Sequence, residues 1–235
     1  MNRRFFSAAS LLAAAITTAI PAAAEEPFWG IQAEQLEFRL TERSDVLAWD
    51  FDALYGTDEL KLVWRSEAEY ATADSMFENL ENQIRLQTPI STFFDAVVGV
   101  RLTTPDGSPN RVHGVVGLKG LAPQWFEVDA DLYISDNPFF RFEAEYEALI
   151  TNRIILTPVV EVELPLTDDP EIGAGAWGPK IEVGARISYD LIDRAVSPYV
   201  GVHYEQKFGE TANLANSDGE DSGTVFFVVG TKILF

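Results

Sequence analysis

The sequence predicts an all-β fold, an antiparallel transmembrane β-barrel of about twelve strands with short periplasmic turns and longer outer loops. Three observations predict it. Apolar and polar residues alternate with a period of two from Phe28 to the end of the chain, which puts successive side chains on opposite faces of a strand. The connections between alternating segments are by turns short and long. The last stretch, Thr224 to Phe235, has one nearly apolar face (Val225, Phe227, Val229, Thr231, Ile233, Phe235) and ends on an aromatic, as closing strands of outer-membrane barrels do. No segment after the first two dozen residues holds about eighteen consecutive apolar residues, so strands rather than a helix would have to cross a membrane.

The chain opens on a secretory leader, residues 1–24. Arg3 and Arg4 are its charged start, Phe5 to Ile20 its apolar run, and Ala22, Ala23 and Ala24 its small-residue cleavage site. Residues 25–235 are then the barrel. There is no cysteine, so disulfides play no part. A formal net charge of −20 repels nucleic acid and attracts cations. Plentiful aromatics argue against a disordered acidic protein.

The elements follow in order. The first sets Leu36, Phe38 and Leu40 against Gln35, Glu37 and Arg39; the second, Leu47, Trp49, Phe51 and Tyr55 against Asp50 and Asp52. The third sets Leu62, Trp64 and Tyr70 against Lys61, Arg65, Glu67 and Glu69, and the fourth Ile84 and Leu86 against Glu81, Gln83, Arg85 and Gln87. The fifth alternates through Val98, Val100 and Leu102 with Arg101; the sixth through Val112, Val116 and Leu118 with His113 and Lys119. The seventh is the clearest, Val128, Ala130 and Leu132 against Glu127, Asp129 and Asp131. The eighth opposes Phe142, Ala144 and Tyr146 to Arg141, Glu143, Glu145 and Glu147, and the ninth Ile154 to Leu164 to Glu161 and Glu163. The tenth opposes Ile181, Val183 and Ile187 to Glu182 and Arg186, and the eleventh Val200, Val202 and Tyr204 to His203, Glu205 and Lys207; the terminal stretch is the twelfth. No amphipathic helix of useful length stands out.

Alternation alone also fits a soluble β-sandwich. Connection length favours the barrel. Residues 56–58, 89–92, 120–124, 151–152 and 193–197 are the periplasmic turns; residues 71–77, 104–110, 165–179 and 209–222 are longer outer loops, with two short exceptions at 41–45 and 135–138. Trp49, Tyr55, Trp64, Tyr70, Trp125, Phe126, Tyr189 and Tyr204 fall near strand ends, where aromatic girdles sit.

The inward face is then both acidic and basic, and much of it must be mutually paired, because an unpaired buried charge is costly. Acids outnumber bases, which makes a lumen that favours cations. The candidate metal ligands are the two histidines, His113 and His203, with nearby carboxylates: Asp129 and Asp131, which a hairpin around Ala122 would bring to His113, and Glu205, Glu143 and Glu145. Imidazole suits copper, zinc and nickel. The strands of the two histidines stand about five apart in a ring of about twelve, on nearly opposite walls, so one ion bound by both is disfavoured. Met76, the one methionine after the leader, falls in an outer loop. The inward serines, Ser135 and Ser188, are not tied to a histidine, and no phosphate-binding glycine loop occurs; the chain is not expected to be an enzyme.

Several stretches resemble the copper-resistance protein B family. They are Trp-Gly-Ile-Gln-Ala-Glu-Gln-Leu-Glu (Trp29 to Glu37), Gly-Leu-Ala-Pro-Gln-Trp-Phe-Glu-Val-Asp-Ala (Gly120 to Ala130), Glu-Ala-Glu-Tyr (Glu143 to Tyr146) and Ser-Pro-Tyr-Val-Gly-Val-His-Tyr-Glu-Gln-Lys-Phe-Gly-Glu-Thr-Ala (Ser197 to Ala212). The resemblance implies a bacterial outer-membrane barrel that binds or passes copper ions transiently, with lipid, copper ions and periplasmic copper-resistance proteins as partners. One departure bears on mechanism. Members of this family often carry a Met- and His-rich segment ahead of the barrel, and here only Glu25, Glu26 and Pro27 precede Phe28. Metal handling is therefore expected in the barrel itself or from a partner. The alternative is a passive, ion-paired barrel with no specific metal that acts through loops or partners.

Overall fold

A computed structural model describes residues 26–41, 45–192 and 194–235; the leader assigned to residues 1–24 lies outside the described residues, as do residues 42–44 of the first outer connection. Its strands are β1 (Phe28–Leu40), β2 (Val46–Gly56), β3 (Lys61–Ala71), β4 (Met76–Pro89), β5 (Phe94–Thr103), β6 (Arg111–Ala122) and β7 (Phe126–Ile134). There follow β8 (Phe139–Glu145), β9 (Ala148–Leu149), β10 (Ile154–Pro165), β11 (Lys180–Tyr189), β12 (Val196–Lys207), the helix α1 (Gly209–Ser217) and β13 (Gly223–Leu234). Each strand pairs antiparallel with its neighbours in sequence, β13 returns to β1, and the sheet closes.

Thirteen strands make twelve staves, because β8 and β9 are one stave lying along β10. The break has a local cause. Pro158 of β10 stands between the two paired runs and has no N–H to give the ladder; only its carbonyl is used, by Tyr146 N at 3.1 Å.

The faces divide as the alternation requires, with the usual order of a protein inverted. Val98, Val100, Val200 and Phe227 are more than half exposed on the outside, whereas Glu37, Glu81 and Arg85 are 1%, 0% and 0% exposed inside. An exterior that apolar is stable only against lipid. Val100→Arg, on the outer face midway along β5, is expected to lower folding stability in liposomes by about 2–4 kcal/mol. Denaturant titration of the refolded barrel reads the loss, and an unaffected barrel would mean that this face does not meet lipid.

Aromatics mark both rims. Trp29, Tyr55, Trp125, Tyr189 and Phe235 are exposed at the end of the short turns, while Tyr70 packs edge-on to Phe77, centroids 5.1 Å apart, at the other end, which Tyr204 also reaches. The short turns are tight: Thr57 N bonds Leu60 O at 2.9 Å, and Ile150 N bonds Ile154 O at 2.9 Å.

Two details differ from the sequence expectation. Met76 begins β4 instead of lying in a loop. The last outer connection contains α1, whose nine residues are too short and too polar to show a helical period. That helix is tied to the connection between β10 and β11, where Thr211 Oγ1 donates to Gly178 O at 2.5 Å and accepts from Gly175 N at 3.0 Å. Both glycines are required by this approach, since a Cβ on either would stand within 2.7 Å of α1 backbone.

The same loop is held to β6. Arg111 forks onto Asp169 with two bonds of 2.8 Å, and Asn137 Nδ2 adds a third at 2.6 Å. Those bonds, from Arg111 first, hold the Asp169 carboxyl below the usual range.

Candidate functional site

Inside the barrel, guanidinium groups reach across the lumen. Arg65 on β3 forks onto Asp52 at 3.1 and 3.2 Å and also bonds Asp129 on β7 at 3.1 Å. Arg85 on β4 meets Asp129 at 3.2 Å and Asp131 at 3.0 Å. Arg141 on β8 bonds Glu161 at 2.6 Å and Glu67 on β3 at 2.9 Å, five staves away in a ring of twelve. Arginine suits this role because its planar fork satisfies two carboxylates at once. The Arg65 and Arg85 groups are buried, while the Arg141 pairs border the open space of the lumen.

Above them is a cavity of about 1420 Å³ that opens among the long loops. Its lining stops short of Arg65, Arg85, Asp129 and Asp131, which therefore form its floor. Fifteen carboxylates line it against seven Lys and Arg among the described residues. Their placement follows strand register. Asp129, Glu143, Glu161, Glu182 and Glu205 stand directly opposite one another, pair by pair, across β7, β8, β10, β11 and β12. Asp50, Glu67 and Glu81 make a second row across β2, β3 and β4. Directly opposed like charges destabilise a sheet unless a cation sits between them. Arg141, Lys180 and Arg101 serve part of the row, but among the described residues no cation lies within salt-bridge reach of Asp50, Glu143 or Glu205.

The sequence-derived candidates separate into three settings. Asp129 and Asp131 belong to the floor, each held by Arg85. Glu143 and Glu205 belong to the vestibule wall, while Glu145 sits below, 3.8 Å from Lys232. The histidines are five staves apart, as expected, and differ in surroundings. His113 faces the guanidinium of Arg101 across the strand pair and meets the Phe139 ring edge-on at 5.2 Å, beside the stacked Tyr133–Phe139 pair. His203 lies 2.8 Å from Glu182.

The expectation that His113 lies near Asp131 or Asp129 is corrected by the register. Gly117 opposes Asp131 and Lys119 opposes Asp129, because the turn is centred on the Pro123–Trp125 helical turn and not on Ala122. Among the described residues, no three His, Asp or Glu side chains already converge as metal ligands.

Three residues that shape the lumen do not stand out in the sequence. Glu182 was placed on the inward face but not singled out; its register opposite both Glu161 and Glu205 is what distinguishes it. Glu34 sits at a β-bulge between Ala33 and Gln35, where counting by twos fails, and interacts electrostatically with Asp50 and Glu143. Tyr199 reaches inward from a strand whose expected start lay one residue later, and donates to Glu37 at 2.9 Å.

A family profile described as copper resistance protein B precursor matches residues 27–235. A copper resistance protein B homolog of Pseudomonas syringae pv. tomato is 33% identical over 205 residues, covering 86% of this chain and 68% of that protein. Copper resistance protein B of Escherichia coli is 31% identical over 204 residues with the same coverage. Among solved structures, the NanC porin superimposes with a TM-score of 0.56 at 10% identity, over 88% of this chain and 99% of that one. That likeness speaks to fold, and with the apolar exterior it makes the chain an outer-membrane β-barrel.

Proposed function

The chain belongs to the copper resistance protein B family, and from that premise we propose that it draws copper ions into the outward-facing vestibule and binds them on its carboxylate rows. The observation that carries this reading is the excess of fifteen carboxylates over seven Lys and Arg around one outward-opening cavity. Wall acids without a cation partner are the attracting charges. At an effective dielectric near 20, a unit charge about 4 Å away contributes about 4 kcal/mol, enough to concentrate a divalent ion strongly. Passage beyond the vestibule requires the Arg65 and Arg85 pairs of the floor to part. The role assigned is binding and conduction, with no catalytic step.

A second reading is favoured by the pairs that span the lumen: a closed barrel with no specific metal, whose part in copper resistance runs through its loops or a periplasmic partner. One experiment separates the two. The Asp50→Asn, Glu143→Gln double variant removes two wall acids that no arginine needs. Copper affinity at low ionic strength, by calorimetry on the barrel in nanodiscs, is expected to fall about tenfold, or about 1.4 kcal/mol. Cells carrying the variant should lose copper tolerance while the barrel still assembles. Affinity equal to that of the parent protein would favour the closed barrel.

A further inference from the structure

A buried histidine on the vestibule wall makes no hydrogen bond, although a carboxylate lies against it. His203 on β12 is 4% exposed, and neither ring nitrogen makes a hydrogen bond. Nε2 lies 2.8 Å from Glu182 Oε2, but out of line for a hydrogen bond. Nδ1 faces the space left by Gly184, where a Cβ would stand 3.5 Å from Nδ1 and only 2.8 Å from Val159 Cγ1. Buried polar atoms are almost always satisfied, so an imidazole with two orphan nitrogens points to a missing ligand.

The chemistry around it is specific. Glu182 is opposed by Glu205 on one side and by Glu161 on the other, and His203 is two residues from Glu205 on the same face. Lys180 Nζ already sits 2.7 Å from Glu182 Oε1, as a tethered cation would. One imidazole with two carboxylates suits a borderline divalent ion such as Cu(II); Cu(I) selects thiolate and thioether sulfur, and no sulfur stands in this cluster. His113 also has an unsatisfied Nδ1, but Arg101 and two aromatic rings surround it and no carboxylate lies within ion-pair reach among the described residues.

We infer that His203, Glu182 and Glu205 form a Cu(II) site on the vestibule wall, whose Glu182 carboxylate the Lys180 ammonium holds while no metal is bound. This inference rests on the reading that copper enters the vestibule, and names the oxidation state and the residues that receive it. Coordination by His203 Nε2 satisfies the orphan nitrogen, and displacement of the Lys180 ammonium frees the second oxygen of Glu182.

The test is electron spin-echo spectroscopy of one equivalent of Cu(II) on the untagged protein purified from membranes. The parent protein and His113→Ala are expected to show the modulation of a single coordinated imidazole, and His203→Ala to lose it. His203→Asn, which keeps a polar group in the buried position, is expected to lose it too, so that a folding defect in the alanine variant leaves the answer intact. Glu182→Gln should weaken Cu(II) binding by about 10–100-fold. Lys180→Met, which removes the competing cation, should tighten it. Imidazole modulation that survives in both His203 variants, or an all-oxygen signal in the parent protein, overturns the site while the Asp50 and Glu143 result still supports the vestibule. A parent protein that binds no Cu(II) overturns both.

Discussion

Replacing Arg85 with alanine is expected to turn a nearly silent barrel into a steadily conducting, cation-selective one. Arg85 is 0% exposed and ties Asp129 to Asp131 in the middle of the floor, with Arg65 reaching the same Asp129 from β3. Truncating it removes a fully buried arginine from the floor and strips two buried carboxylates of a partner. An uncompensated buried charge costs about 3–5 kcal/mol, and the cheapest relief is water entering from the vestibule. A wetted floor lined by Asp129 and Asp131 then joins the vestibule to the periplasmic mouth and prefers cations. Single-channel recording in planar bilayers reads this directly. An Arg85→Ala barrel as silent as its parent would place the constriction elsewhere.

The largest loss of stability is expected for Glu37→Ala. Glu37 is 1% exposed and accepts four hydrogen bonds: from Arg39 Nε at 2.9 Å, from Arg186 at 2.9 and 3.0 Å, and from Tyr199 at 2.9 Å. Alanine leaves two buried guanidinium groups sharing one site, and among the described residues Glu69 is the one carboxylate still paired with Arg39. The cost is about 3–5 kcal/mol, because two guanidinium groups only 7% and 6% exposed lose the carboxylate between them. The thermal midpoint of heat-modifiable gel mobility should drop sharply, while Glu37→Gln, which still accepts from both arginines, should lose less. Equal midpoints for the alanine variant and the parent would mean that the cluster adds nothing to stability.

These two residues mark what the sequence could disclose. The face on which Glu37 and Arg85 lie is set by the two-residue period of a strand, and the alternation around each is unbroken, so their inward direction was legible. Their partners were not. Glu37 meets Arg186, which lies 149 positions away, and Arg85 meets Asp131, 46 away, because a closed and tilted sheet brings together staves that no local pattern relates. The vestibule shows the same limit. Carboxylates on β7 and β8 could be seen as neighbours, but the continuous row to Glu205 depends on the register of four successive strand pairs. One misplaced turn centre, at Ala122 instead of Gln124, was enough to bring His113 too close to Asp131. The bulge that inserts Glu34 breaks the period itself, and α1 has no apolar stripe to announce it.

The pairing of β13 with β1 has a consequence for how the molecule comes into being. Gln32 meets Leu234, and Ile31 exchanges two bonds of 2.8 Å with Phe235, so the final seam joins the two ends of the barrel sequence. Every other neighbour pair is local and can zip as soon as its hairpin exists, whereas this one waits for the whole chain. Until then both edges are unpaired templates on which another copy could add, and the greasy outer faces are bare. The Glu37 cluster straddles that seam, linking β1 to β11 and β12 across β13. Its charges are matched only when the ends meet in the correct register, since a slip of one residue would turn Glu37 toward lipid. The buried ion pairs that hold the finished barrel therefore also act during assembly as a check on the register in which its ends are joined.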